Sequence, residues 1–413
     1  MLKITYMSYT EDYKNLKDVF SSIKDKVSYG SIDIYRKKFD SLAYEILPGV
    51  KKYHCIEHGI SFSIGESYEN KIVESLDVDA RPEDIHIEEN KHFNYFIIMP
   101  SRQHKASKLT FLFHGFNEKD WNKYLPWAKS ICDKCGNAVI LFPLAFHMDR
   151  APKRWSDKRA MFKESLERKK SYPNVVNSTL SNVAISKRLQ EKPQRFMWSG
   201  LQSYYDMLSL IELFKKGSVD LIAPDFKFNL FAYSIGGFLA QILKYSNYKN
   251  YFSDSKLCLI CSGAVFNRLS PVTRFILDSE TNVALYYYMV EHINVFMKKD
   301  NMLKHFINEH IEAKLLYEMM DFNRLREDRE SYNLKYAKQI YAVTFKKDHV
   351  IPSYEIMNAL QGAYRNIPVN VEEFDFPYEY GHEVPFPYDS KDSDLIDKAY
   401  TLVFDKICDF LKI

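Results

Sequence analysis

Apolar residues in the first fifty positions recur at helical spacing, through Leu16, Val19, Phe20 and Ile23, and this pattern predicts helices over 1–50. From Tyr53 the period shortens. The stretches 54–64, 83–90 and 93–100 are short alternating or apolar runs bounded by polar or turn residues. They predict strands, with the last two pairing as a hairpin. A polar connector, 101–108, leads into the apolar run Leu109–Phe113, which stops at His114-Gly115. Trp121, Tyr124, Leu125, Ala128 and Ile131 or Cys132 then share one helical face, with Gly136 at the C-cap position. The run 137–146 returns as a strand. Strand, loop, helix, strand in this order is a βαβ unit, which requires parallel strands and a covered sheet.

The rhythm breaks over 148–197, a basic, polar stretch that reads as an insertion outside the sheet. It resumes with a helix over 199–217, a strand over 228–234, a helix over 236–246 and a strand over 256–264. A second interruption, 265–336, is helical, carries the aromatic run Leu285–Met289 and shows no strand pattern; it reads as a lid. Beyond it come a strand at 339–345, a helix at 353–366, a strand at 369–376 and a closing helix at 394–412. In that last helix Ile396, Tyr400, Val403, Ile407 and Phe410 lie on one face. The fold class is therefore α/β, a mostly parallel, doubly wound sheet flanked by helices. Residues 1–50 form a helical extension to a domain spanning 51–413, with the insertions at about 148–197 and 265–336.

Composition changes this picture little. A chain of 413 residues, 46% hydrophobic and 27% charged, is that of a folded protein with a sizeable core. Lys and Arg number 57 against 54 Asp and Glu, so no global field exists to capture nucleic acid or an anionic membrane. No apolar run is long enough for a membrane span, and the charged N-terminus does not read as an export signal. The expectation is a cytoplasmic protein with its six cysteines reduced.

The chemistry concentrates at strand ends. Phe228–Ser234 is an apolar strand running into a serine, and Ile235-Gly236-Gly237 opens a helix at once. This resembles the nucleophile elbow of α/β-hydrolases, G-x-S-x-G, with Ala232 where the family usually has glycine. Small residues at such a turn also serve packing alone, so its neighbours matter. His114-Gly115-Phe116 resembles the family's H-G-x segment. Asp348 follows the strand after the second insertion, and His382 follows Gly381 between the last strand and the last helix. The chain order Ser, acid, His is the order of that family.

The resemblance implies that Ser234 attacks a carbonyl, His382 takes its proton and Asp348 orients the imidazole, through an acyl-enzyme that water cleaves. It also implies that the backbone N–H groups of Phe116 and Ile235 form the oxyanion hole. The expected partner is a small-molecule acyl substrate, most simply a carboxylic ester, and no metal or organic cofactor is required. Peptidase, thioesterase and acyltransferase chemistry on the same triad stays open, as does a non-catalytic binding protein on the same scaffold. Asp375 is the fallback acid. His114 reads as a structural ring.

Other signals have bland readings beside the functional ones. Cys132-x-x-Cys135 and Cys258-x-x-Cys261 mimic a zinc pattern, but Cys258 and Cys261 sit in a strand, where residues three apart face opposite ways. The basic stretch of Arg150, Lys153, Arg154, Lys158, Arg159, Arg168, Lys169 and Lys170 is a solvated face or an anion site. Its start directly after a strand's carboxyl end makes Asp149 and Arg150, with Tyr233, possible substrate-binding residues. Tyr286, Tyr287 and Tyr288 either line a pocket or dock the lid.

Overall fold

The computed structural model describes residues 8–63 and 83–413. Ile64, the last residue of the first expected strand run, lies outside them. The strands are β1 (Lys26–Tyr29), β2 (Ile32–Asp40), β3 (Lys52–Cys55), β4 (Ile60–Ser63), β5 (His92–Pro100), β6 (Ala106–Phe113), β7 (Ala138–Leu141), β8 (Ile222–Tyr233), β9 (Leu257–Ile260), β10 (Ile340–Phe345) and β11 (Asn370–Phe374). Nine of them form one sheet in the order β1-β2-β5-β7-β6-β8-β9-β10-β11. From β7 to β11 every neighbouring pair is parallel, whereas β1, β2 and β5 join antiparallel. The architecture is a mostly parallel α/β sheet with helices on both faces, consistent with the α/β-hydrolase fold. Every residue of β7, β9 and β10 is buried, as strands covered on two faces must be.

One face carries the helices Arg195–Lys215 and Gly236–Ser246, and the other carries Tyr9–Ser21, Tyr124–Cys135 and Ser393–Leu411. Gly136 ends its helix in the left-handed conformation, at φ 69°, as its place in the sequence requires.

Three sequence expectations need correction. Residues 8–50 hold one long helix, Tyr9–Ser21, and its capping box on Ser8 and Glu11 is complete. Beyond it the chain turns at Gly30, φ +55°, and β1 and β2 extend the sheet. Helical spacing ends at Ile23, while Ile32 and Ile34, two apart, are buried together on the sheet. The expected strand at 83–90 is instead a short 3₁₀ turn and a single helical turn, so no hairpin forms and β5 pairs with β2 and β7. Its polar side chains are committed elsewhere: buried Asp84 pairs with Arg188 at 2.7 Å and Arg195 at 3.2 Å, and Asn90 donates to Gln202. Finally, the strand expected over 137–146 stops at Leu141, before the positive-φ residues Phe146 and Met148.

Residues 148–197 and 265–336 contain no strand of the main sheet. Buried Arg168 of the first binds buried Asp278 of the second, with Nη2 donating to Oδ1 at 2.8 Å. Asn182 donates to the Thr273 carbonyl at 2.9 Å, so the two segments meet as one cap.

Candidate active site

The turn after β8 places Ser234 at φ +55°, a left-handed backbone that a β-carbon disfavours and that is held here from several sides. The Ser234 N–H donates to the Ile260 carbonyl at 3.2 Å, and its own carbonyl accepts from the Ser262 hydroxyl at 2.6 Å. The turn needs glycine at 236 for space: a β-carbon there would lie 2.8 Å from the carbonyl oxygens of Phe113 and His114. Ala232, by contrast, has a negative φ inside β8, and its methyl is buried in the core. The backbone at 232 therefore does not require a glycine.

Ser234, His382 and Asp348 come together from three different strand ends. The carboxylate of Asp348 only accepts, so the 2.7 Å bond to its Oδ2 places a proton on His382 Nδ1. His382 Nε2 then presents its lone pair to the Ser234 hydroxyl, 2.8 Å away. The second oxygen of Asp348 accepts from the amides of Val350 and Ile351 at 2.9 and 2.8 Å, which fixes the carboxylate at the end of β10. All three side chains are buried. Cys261 lies beside Asp348 and His382; burial, and then the nearby carboxylate, raise its thiol pKa, so it stays protonated and neutral. Asp375 is elsewhere: exposed at the surface, it accepts from Tyr380 and pairs with Lys346 at 3.2 Å.

The amides of Phe116 and Ile235 donate to no acceptor among the described residues. The loop bearing Phe116 is tied down on both sides. Gly115 N–H donates to the Tyr124 hydroxyl at 2.8 Å, which in turn donates to Glu118 at 3.0 Å. His114 Nδ1 donates to the Gly115 carbonyl at 2.7 Å, and its Nε2 accepts from the Leu144 amide at 2.9 Å. Burial pushes the His114 pKa down to about 4, so the ring is neutral and acts as a clip between two loops. Next to it Asn117, at φ +58°, donates to the carbonyls of Ser181 and Phe275 at 2.9 and 2.6 Å, binding both cap segments to this loop.

Ser234 and His382 line a cleft of about 450 Å³, walled by Phe116 and Asn117, by Trp155 and Met161 of the first cap segment and by Phe275 of the second. A smaller apolar pocket of about 70 Å³ shares Phe116 and is lined by Leu144, Ile185, Leu189, Phe196, Phe238 and Leu316, with Ile235 at its edge.

The expected substrate-binding residues divide. Tyr233 lines the cleft, but its hydroxyl donates to the His382 carbonyl and its ring stacks on the imidazole at 5.4 Å, so it supports His382. Arg150 is fully buried and bound to Asp206 at 2.7 Å and to Asn90 at 3.1 Å. Asp149 is exposed and accepts from Asn94 at 3.2 Å. Neither lines the cleft or the apolar pocket, because the 3₁₀ turn Met148–Arg150 folds the chain back toward Asn90. Tyr286, Tyr287 and Tyr288 also lie outside both. Of the cysteine pairs, Cys132 and Cys135 donate to the carbonyls of Ile98 and Cys408 at 3.4 and 3.3 Å. Sequence reading missed Ser262, Tyr124 and Asn117. Only Ser262 had a signal, as a polar residue just past the end of an apolar strand.

A family model described as a "Family of unknown function (DUF6051)" matches residues 7–412. No curated protein matches the sequence. Similar solved structures include a thermostable esterase from Pseudomonas putida ECU1011, at 10% identity and a TM-score of 0.42, covering 98% of this chain and 91% of that one. Carboxyl esterase 2 from the mycorrhizal fungus Tuber melanosporum aligns at 12% identity and a TM-score of 0.39, over 77% of this chain and 81% of that one. A truncated carbohydrate esterase from gut microbiota aligns at 13% identity and a TM-score of 0.36, over 76% and 91%.

Proposed function

We propose, from the premise that this chain belongs to a family of unknown function (DUF6051) and inherits no activity from it, that it is a serine hydrolase cleaving a carboxylic ester through an acyl-enzyme on Ser234. The observation that carries the reading is the hydrogen-bonded series Ser234, His382, Asp348, at 2.8 and 2.7 Å. In it each donor and acceptor has one assignment, and that assignment makes His382 Nε2 a base toward the serine.

Ser234 Oγ bonds to the ester carbonyl carbon as its proton passes to His382 Nε2. The amides of Phe116 and Ile235 receive the oxyanion, and the N-terminal end of the helix Gly236–Ser246 favours the same charge. The imidazolium then returns its proton to the departing alcohol. Water repeats the sequence in reverse, releasing the acid and restoring the serine. Asp348 holds the tautomer throughout. The small apolar pocket beside Phe116 and Ile235 suits a short acyl chain, while the larger cleft, with Glu118, Lys123 and Lys158 at its walls, suits a polar alcohol portion.

Labelling of the purified protein with a fluorophosphonate, beside Ser234→Ala and followed by intact mass, tests the reading. One phosphonyl adduct on the wild type, formed with loss of fluoride, and none on the variant is the expected result. An adduct on both, or none on folded wild type, overturns it. Among p-nitrophenyl esters, kcat/KM should be higher for acetate and butyrate than for dodecanoate.

A further inference from the structure

Four side chains that the catalytic reading leaves unused converge between the hairpin β3–β4 and two helices of the second cap segment. Cys55 closes β3, and His58 sits in the turn that Gly59 makes at φ +65°, where the Gly59 N–H donates to the Cys55 carbonyl at 2.8 Å. This turn folds His58 back over Cys55. His305 lies in the helix Asn301–Glu309, and His310 is the junction between that helix and Ile311–Glu318. One ligand atom from each of the four lies within 4.8 Å of all the others. Cys55 Sγ stands 3.3 Å from His58 Nδ1 and 3.3 Å from His310 Nε2, and His310 Nε2 stands 3.3 Å from His305 Nε2.

We propose that Cys55, His58, His305 and His310 form a structural zinc site that staples the β3–β4 hairpin to the cap. Tetrahedral zinc with Zn–N of about 2.0–2.1 Å and Zn–S of about 2.3 Å spaces its ligand atoms roughly 3.3–3.6 Å apart; three of the six separations here are 3.3 Å and all lie within 4.8 Å. The order C-x₂-H followed by H-x₄-H is also that of zinc ligands, which come as two close pairs on two turns.

Proton placement points the same way. His310 Nδ1 faces the carboxylates of Glu312 at 3.3 Å and Glu57 at 3.5 Å, so the ring proton belongs on Nδ1. Its Nε2 therefore turns a lone pair toward a thiol and a second imidazole. A carboxylate behind a histidine is the arrangement that orients metal-binding rings, and Glu312 is itself held by the Tyr205 hydroxyl. On binding, the Cys55 thiol gives its proton to solvent and the thiolate offsets half of the dication's charge. One soft sulfur and three imidazole nitrogens exclude calcium and magnesium, which take oxygen ligands.

Four protein ligands, three of them buried, make a closed site with no position for substrate. Its effect is mechanical. A two-stranded hairpin is marginal by itself, and this one would be pinned to the helix pair whose Leu316 lines the apolar pocket. The inference does not rest on the hydrolase reading.

Full-length protein without a histidine tag, grown with added zinc and dialysed, should carry about one zinc per chain by plasma mass spectrometry. Cys55→Ser and His310→Ala should lose it, and Ser234→Ala should keep it. Because the first two variants can fail to fold, the wild type should also be stripped with a chelator and titrated with cobalt(II). Intense tetrahedral d–d bands with a thiolate-to-cobalt charge-transfer band are expected. Substoichiometric zinc in the wild type, cobalt bound without the thiolate band, or full zinc retained by folded Cys55→Ser each overturns the assignment.

Discussion

The two clusters of polar side chains in this molecule solve opposite problems. Along the series from Ser234 to Asp348 each side-chain donor meets an acceptor: the hydroxyl faces Nε2, Nδ1–H faces a carboxylate, and two amides complete that carboxylate. Around Cys55 one thiol sulfur and three imidazole nitrogens crowd together, with three of the separations at 3.3 Å. The first cluster is complete with protons alone and is poised to move one. The second, on the zinc proposal, is completed by a cation. They also differ in their support. The first hangs on the ends of β8 and β10 and on the loop after β11, within the buried parallel half of the sheet, while the second bridges a small hairpin and cap helices.

Three substitutions, two of them with a matched control, sharpen that contrast. The largest effect is expected at Asp348→Asn, which reverses the donor at His382 Nδ1 and should lower kcat by ~10⁴ with the fold intact. Asp375→Asn, at the surface, should leave kcat unchanged. Steady-state kinetics on the best ester of the panel separates them, and equal losses would break the assignment of the acid.

Gly236→Ala comes next. Its β-carbon would press on the Phe113 and His114 carbonyls and shift the amides of Phe116 and Ile235 relative to each other. The loss of one aligned oxyanion donor is worth ~10²–10³ in kcat. Gly381→Ala, whose nearest neighbour would be His349 at 3.9 Å, is the matched control and should change kcat little.

The smallest effect is on stability, in the helix that begins after His310. Glu318 is buried, neither carboxylate oxygen has a hydrogen-bond partner, and Lys314 stands 3.7 Å away. Burial pushes its pKa up to about 7 from 4.5, so between these values the folded state binds more protons than the unfolded one. Stability is then greatest at low pH and falls as pH rises through 7. Glu318→Gln should match the wild type near pH 4.5 and exceed it above pH 7 by on the order of 2 kcal/mol. Thermal or urea unfolding across that range reads it, and a variant less stable at pH 8 would refute it.

The parallel half of the sheet was legible because buried strands and amphipathic helices alternate with the periods the chain itself displays. β6, β8, β9 and β10 fall where apolar runs end in chemistry. The antiparallel edge was not legible. β1 and β2 are half polar, and β5, the partner of β2, follows more than fifty residues after it, so no local period announces that pairing. The stretch 83–90 misled for a related reason. Its alternation is that of a strand, but the buried ion pairs of Asp84 with Arg188 and Arg195 outweigh a single turn's preference for the sheet.

By itself the sequence determined the α/β class, the sharp turn at Ser234 and the order in which serine, aspartate and histidine arrive, because each is written in neighbouring residues. Only the tertiary structure decided that Arg150 is neutralised by Asp206 inside the core and never reaches the cleft, and that Tyr233 serves His382. It alone brought Cys55 against His310, 255 residues away. Steric and hydrogen-bonding preferences act within a turn or two of chain, whereas ion pairs and ligand clusters form between whatever surfaces packing the core brings together.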